Sequence, residues 1–347
     1  MMDRAFGFDK AATEACKGTA LLLLLWHHLF YAHPEYGLLT FQTAQLAKVC
    51  VAIFVLLSGY GLSKSADVSK QGLLAFYVGR FAKLYLNYWL IAAIFIPIGV
   101  LLMSRPLSGA YNGHAGIKFL LQMLGLHRYL YSEYGYNGTW WYISTILGLY
   151  ALFPFVLCLL RRSIWWGLPF CVLVVIPGAQ SQIPVLGFWL FPFVLGIFLA
   201  RTDGFVHARR WLARFRSFRY VLVVSAVASC GFFRQLDWAF GGMRIDWLLG
   251  ALIILLTYEL VASTRTPAVL HSLSFIGRHS FNIFLFHTFV YSYYWRDIVY
   301  SFKYPPIILA FLLVSCLLIS MGIEALKRVI GYYPALAAIR RLPLHGS

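Results

Sequence analysis

A lysine and two histidines set in apolar sequence are the first residues that could do chemistry. Lys17 and His28 lie eleven residues apart, and the run from Gly18 to Tyr31 is broken only by Trp26, His27 and His28. At ~100° per residue that spacing is about three helical turns, so both side chains project from one face, roughly 16 Å apart along the axis. A cation at one end can hold an anionic ligand, and a histidine in a dry cavity can move a proton near neutral pH. The competing reading is a snorkelling lysine and an interfacial histidine beside Trp26 and Tyr31. His27 points ~100° away from His28 and reads as structural. His287 falls roughly 12 Å into a helix expected to begin near Gly277-Arg278-His279-Ser280-Phe281. It reads either as lining one cavity with His28 or as a hydrogen-bonded packing residue.

Further polar groups interrupt the apolar runs. Arg80 and Lys83 are three apart, on one helical face, and suit either lipid headgroups or a phosphate-bearing ligand. In Ser58-Gly59-Tyr60-Gly61 the glycines permit close helix packing, and Ser58 can bond across helices. Trp140-Trp141-Tyr142 has the composition of an aromatic belt at a membrane boundary, with Glu133 just before it. No P-loop, zinc-ligand pair or Gly-x-Ser-x-Gly elbow occurs, so ATP-driven transport, metal chemistry and a conventional serine hydrolase gain no support. The six cysteines fit no metal or redox spacing and read as small buried hydrophobes.

The elements that must position these residues are membrane helices. The chain has 347 residues, 61% hydrophobic and only 12% charged, against about 25% charged in soluble domains. The fold class expected is all-α: a polytopic membrane bundle of about ten transmembrane helices forming a single domain over residues 1–347. The helices are expected near 18–32, 41–62, 75–103, 138–160, 164–178, 184–200, 219–235, 244–262, 279–296 and 305–328. The first apolar run reads as a retained helix rather than a cleaved signal. With a cytoplasmic N-terminus and alternating helices, all but eight of the 29 Lys and Arg fall inside, the exceptions being Lys48, Arg105, Lys118, Arg128, Arg234, Arg244, Arg296 and Lys303. That bias places both termini in the cytoplasm. The net charge of +17 belongs with basic cytoplasmic loops, and no nucleic acid is expected as partner. The longest outer connection, Ser104 to Asn137, holds an apolar stretch, Ile117–Leu126, expected in the interface.

The combined pattern resembles acyltransferase family 3, integral membrane O-acyltransferases mainly of bacteria. The first helix resembles that family in a basic residue, ten residues, then histidine (Lys17, His28), with Glu14 three before the lysine. Phe54 to Tyr60 resembles its Phe-x-x-x-Ser-Gly-aromatic end of helix 2. Arg80-x-x-Lys83 followed by Tyr88-Trp89 resembles its Arg-x-x-Arg start of helix 3. Trp140 to Pro154 and Gly277 to His287 resemble its Trp-rich and Gly-Arg-x-Ser-aromatic…Leu-x-His segments. Two lysines, Lys17 and Lys83, stand where the family usually has arginine and lose bidentate phosphate geometry.

The resemblance implies acyl transfer from acetyl-CoA, the acyl donor, to sugar hydroxyls of a surface polysaccharide or lipid-linked glycan, in the inner membrane and among its lipids. It implies His28, Glu14 and His287 as catalytic residues. Lys17, Arg80, Lys83, Arg278 and Ser280 are implied for the donor, and Ser58, Trp140, Trp141 and Tyr142 for the acceptor, with no metal. The rival reading is an exporter of a glycan or lipid without acyl transfer. A glycan polymerase or ligase usually needs a larger, more basic outer loop than one holding Lys118 and Arg128.

Overall fold

The computed structural model describes residues 7–65, 72–163, 184–236, 245–263 and 267–341, and every regular element among them is helical. The helices are α1 (Lys10–Phe30), α2 (Leu38–Ala47), α3 (Cys50–Ser65), α4 (Leu73–Leu102) and α5 (Ala115–Met123). There follow α6 (His127–Leu130), α7 (Trp141–Arg162), α8 (Pro184–Arg201), α9 (Gly204–Ala213) and α10 (Phe218–Leu236). Last come α11 (Asp246–Ser263), α12 (Pro267–Thr288), α13 (Arg296–Tyr300), α14 (Pro305–Val329) and α15 (Tyr332–Arg340).

Four described stretches are long and apolar enough to cross a membrane: Leu38–Ser65, Leu73–Leu102, Gly138–Arg162 and Pro305–Val329. The pair α8 and α9, bent by 69°, makes a fifth if taken as one span. Length and composition of the described residues thus support four to five spans. The helix expected over 164–178 lies outside the described residues, as does residue 244 at the start of the eighth.

Several expected boundaries need correction. The first helix starts at Lys10, eight residues before the apolar run, because Asp9 caps it by accepting the Ala12 amide at 2.8 Å. The helix expected over 41–62 is broken into α2 and α3, with short-range bonds from Lys48 to Gln45 and from Val49 to Leu46 across the joint. The helix expected to begin at 279 begins at Pro267, so Gly277 to Ser280 lie in its interior. His287 is then near its end, and the chain continues as a π-helical stretch, Phe289–Tyr294.

Two compact units emerge. Unit 1 comprises Met1–Ser65, Val156–Ala179 and Gly187–Ser280; unit 2 comprises Ala66–Phe155, Gln180–Leu186 and Phe281–Ser347. In unit 1, α1 packs on α2, α3 and α11, with Leu21, Leu24, Leu25 and Phe30 fully buried. One crossing there depends on two missing side chains. A Cβ at Gly59 would stand 2.2 Å from the Phe193 carbonyl oxygen, and one at Gly196 2.1 Å from that of Leu56, so α3 and α8 touch backbone to backbone. Close packing at Gly59 is as expected, whereas nothing lies within 4 Å of a Cβ at Gly61.

In unit 2, α15 packs against the start of α4 and the end of α14. Phe76 stacks on Phe153 of α7, and Phe95 stacks on Phe286 and Phe289. The connection from Ser104 to Asn137 docks on the middle of α4. Tyr85, Tyr88 and Trp89 donate to the carbonyls of Leu124, Gln122 and Met123 at 2.7, 3.0 and 2.8 Å. Those bonds reach carbonyls at the end of α5, where the helical ladder runs out, although the Gln122 carbonyl also accepts the Gly125 amide at 2.9 Å.

Candidate functional site

Unit 1 carries the α1 residues. An unbroken helix from Lys10 to Phe30 puts Lys17 and His28 on one face, as the spacing predicts. Lys17 Nζ lies 3.2 Å from Glu14 Oε1, one turn earlier, with the lysine side chain 34% and the glutamate 16% exposed. Glu14 therefore touches Lys17, whereas His28 sits half-buried in the last turn, its ring 5.1 Å from that of His27. His27 is buried, stacks on Tyr31 and holds the Ala44 carbonyl of α2 with Nδ1 at 2.8 Å. A carbonyl only accepts, so that nitrogen carries the proton.

The interior of α12 meets the same turn of α1. A Cβ at Gly277 would stand 1.8 Å from the Glu14 carbonyl oxygen and 3.0 Å from the Gly18 amide nitrogen. A Cβ at Gly18 would stand 2.1 Å from the Leu273 carbonyl oxygen. This crossing carries Arg278 and Ser280 to the Glu14–Lys17 turn. Arg278 is exposed with its guanidinium over Phe275, and Ser280 is buried. Ser58 is half-buried on α3, next to the Gly59 contact.

Unit 2 carries the others. Arg80 is half-buried with its guanidinium 5.9 Å from the Phe76 ring, and Lys83 is exposed. A third cation that sequence reasoning missed comes from α15: Arg340 Cγ lies 3.5 Å from where a Gly79 Cβ would stand, beside Arg80. His287 is fully buried, with Nδ1 3.0 Å from the carbonyls of both Ile283 and Phe284. The proton therefore sits on Nδ1 and the lone pair on Nε2. One turn earlier the same helix end receives the residues read as an aromatic belt. Trp140 is buried and donates to the Leu285 carbonyl at 2.8 Å, and Tyr142 packs on Phe284. Trp141 is half-buried. Thr139 and Asn137 join the cluster through Thr288, at 3.1 and 3.2 Å. Trp140 and Tyr142 thus sit against the turn before His287, inside unit 2.

Three buried charge clusters went unread. Glu259, wholly buried, lies 3.3 Å from both Arg209 and Arg219. Arg234, read as an outer-loop charge, is buried on Asp246 (3.2 Å between Nη2 and Oδ2) and donates to the Gln45 carbonyl. In unit 2, Asn282, Glu324 and Lys327 form one network, joined by Ser320 and Tyr333. The signal available was a carboxylate inside an apolar run, at Asp246, Glu259 and Glu324, because a membrane-buried acid demands a partner. On the connection from Ser104 to Asn137, Lys118 is buried and sits 2.8 Å from Glu133, with His127 3.6 Å away. Burial pushes the Glu133 carboxyl up, but Lys118 and the Asn112 amide outweigh it and hold it below its usual range. Burial holds His127 below its usual range as well, despite Glu133.

Comparison with known proteins gives these positions a context. No solved structure matches the chain. The curated relative "Acyltransferase MdmB" of Streptomyces mycarofaciens is 28% identical over 165 residues, which is 45% of this chain and 41% of that protein. The chain therefore matches less than half the length of that relative. A family model described as an acyltransferase domain matches residues 11–325, a stretch holding Glu14, Lys17, His28, Arg80, Lys83, Trp140 and the α12 segment. On that match, the chain belongs to acyltransferase family 3.

Proposed function

We propose that this membrane acyltransferase is an inner-membrane, multi-pass O-acyltransferase. In this reading it moves an acyl group, most simply acetyl, from acyl-CoA to a sugar hydroxyl of a surface polysaccharide or lipid-linked glycan. The observation that carries the reading is the family match over a first helix that presents Lys17 and His28 on one face. A sugar hydroxyl is a poor nucleophile until a base takes its proton. His28 accepts that proton as the sugar oxygen attacks the thioester carbonyl. The tetrahedral intermediate collapses, the C–S bond breaks, and the proton passes to the CoA thiolate. Glu14 fixes the Lys17 ammonium by their ion pair. The candidate cations for the phosphates of CoA are Lys17 and Arg278 in unit 1, with Ser280 two residues beyond Arg278, and, separately, Arg80 and Lys83 in unit 2. For the acceptor, half-buried Trp141 of unit 2 is the aromatic face proposed for a sugar ring, Trp140 and Tyr142 being buried against the end of α12 beside it, and Ser58 of unit 1 is a separate candidate hydroxyl. His287, with its lone pair on Nε2, is the alternative base.

Two experiments test this. Purified full-length protein given acetyl-CoA and a membrane glycan extract is expected to release free CoA thiol and to add ~42 Da, one acetyl group, to the acceptor. Acceptor transport with no thiol release would favour the exporter. A reporter fused after Ser347 is expected to be active in the cytoplasm, since the basic bias puts both termini there. Activity on the outer side would overturn the topology.

A further inference from the structure

Asn87 lies in the middle of α4 and is 3% exposed. Its Oδ1 is buried and accepts no hydrogen bond from the described residues. Every neighbouring polar side chain on that stretch is spoken for: Tyr85, Tyr88 and Trp89 all donate to carbonyls at the end of α5. A buried amide oxygen without a donor is destabilising, so a position in an apolar helix keeps one only at a loss. Leucine would fill similar space in the same helix without that loss.

The place of Asn87 suggests its partner. Seven residues separate it from Arg80, within about 20° of two full turns, and four separate it from Lys83, within about 40° of one turn. Arg80, Lys83 and Asn87 therefore share one face of α4, with the amide roughly 6–10 Å further along the axis than the two cations. An oxygen acceptor asks for an N–H or O–H from the ligand. In CoA, the first amide N–H of the pantetheine arm lies six bonds from the pyrophosphate, roughly 7 Å when extended at ~1.2 Å per bond. That separation matches the step from the cations to Asn87.

We propose that Asn87 Oδ1 accepts a hydrogen bond from the pantetheine amide nearest the phosphates, making it a donor-binding residue for acyl-CoA. The proposal rests on the reading of Arg80 and Lys83 as phosphate-binding residues. It makes α4 a ruler for the donor, with phosphates at Arg80 and Lys83 and the pantetheine arm running along the helix past Asn87. The interaction is binding only, so free CoA is a sufficient probe and no acceptor is needed.

The test measures Kd by calorimetry on full-length detergent-solubilised protein. The ligands are CoA and a CoA analogue in which that amide nitrogen is replaced by methylene. For the natural protein the analogue is expected to bind about ten-fold more weakly, the worth of one good hydrogen bond. For Asn87→Leu the two ligands are expected to bind within two-fold of each other, both near the weaker value, with thermal stability equal to or above that of the natural protein. Arg80→Ala is expected to weaken both ligands equally and to keep the ten-fold preference. If Asn87→Leu still discriminates as the natural protein does, or binds CoA unchanged, the Asn87 assignment is overturned while the Arg80 result stands. If Arg80→Ala binds CoA unchanged, or the natural protein binds no CoA, the donor reading fails and the assignment with it.

Discussion

Gly277→Ala is the substitution whose effect follows most directly from the structure. Its new Cβ would stand 1.8 Å from the Glu14 carbonyl oxygen and 3.0 Å from the Gly18 amide nitrogen. A carbon rests against a carbonyl oxygen at about 3.3–3.6 Å, so α1 and α12 must part by about 1.5 Å. Both obstacles are main chain, so no side chain can swing away to relieve the clash. Overpacking of this kind typically costs about 1–3 kcal/mol. The damage to activity should be larger, because the Glu14–Lys17 pair sits on the turn being pushed. A ~1 Å misplacement of a positioned group can cost about 10²-fold in rate. The assay is CoA thiol release from acetyl-CoA in purified protein, alongside the thermal midpoint of each variant. Gly18→Ala meets the Leu273 carbonyl oxygen at 2.1 Å and should behave alike. The double variant should lose less than the sum of the singles, since one separation relieves both contacts. Gly61→Ala is the control, because nothing lies within 4 Å of its new Cβ and α3 gains about 1 kcal/mol of helix propensity there. Natural stability and turnover in Gly277→Ala would refute the backbone contact and the placement of Arg278 that depends on it.

Three further outcomes are expected. His28→Ala should lower kcat by about two to four orders of magnitude, the worth of a positioned general base, and leave CoA affinity intact. His27→Ala should instead lower stability by about 1 kcal/mol through the lost bond to the Ala44 carbonyl, with most turnover retained, and the reverse pattern would mean the catalytic face is misassigned. Glu259→Gln should destabilise the protein by about 3–5 kcal/mol, because it leaves Arg209 and Arg219 without their buried counter-charge, and an unchanged midpoint in chemical unfolding would contradict that account. The connection from Ser104 to Asn137 should loosen in acid in two stages, read by hydrogen exchange of the α5 amides. His127 is held neutral by burial, so the unfolded segment takes up its proton first and protection begins to fall below the ordinary value of 6.5. Glu133 is held ionised, so its contribution is full above 4.5 and falls as pH drops further. Glu133→Gln should remove the second stage and His127→Phe the first, and protection that is flat from about pH 7 to about 3 would disprove both.

What was legible in the sequence and what was not divides along a physical line. The shared face of Lys17 and His28 needed only one continuous helix, and periodicity within a helix is local information. Apolar content does not mark the start of that helix, which the Asp9 cap sets. Apolar content likewise marks only the second half of α12. Its first turns, with His271, Ser272 and Ser274, are too polar to read as membrane helix, although nothing in them breaks a helix. Gly59 and Gly61 read alike in sequence, yet only Gly59 faces another backbone, and which one does so depends on where α8 passes. The charge pairs were the least legible. Arg234 and Asp246 are twelve residues apart on different helices, and Arg209 and Glu259 are fifty apart, so no helical spacing announces them. Counting such arginines as loop charges overstates how much free positive charge the loops carry.

The crossing of α1 and α12 changes what the family-like motifs mean. Glu14 and Lys17 lie some 260 residues before Gly277, Arg278 and Ser280, and each set reads as a separate ligand-binding segment. At Gly277 the two backbones are in contact, so the two sets form one structural object whose register is fixed by glycine at both 18 and 277. A larger residue at 277 would remove activity without touching a ligand, which is why loss of function there cannot be taken as evidence for binding by its neighbours. Arg278→Lys is the more informative change. It keeps the charge and the crossing but gives up the planar fork that grips a phosphate on two oxygens. If Arg278 serves the donor, that variant should weaken CoA binding by about ten-fold at unchanged stability, because one charge-assisted contact is worth about 1.5–3 kcal/mol and part of it survives in lysine. If it serves only the helix crossing, CoA binding and stability should both stay as they are.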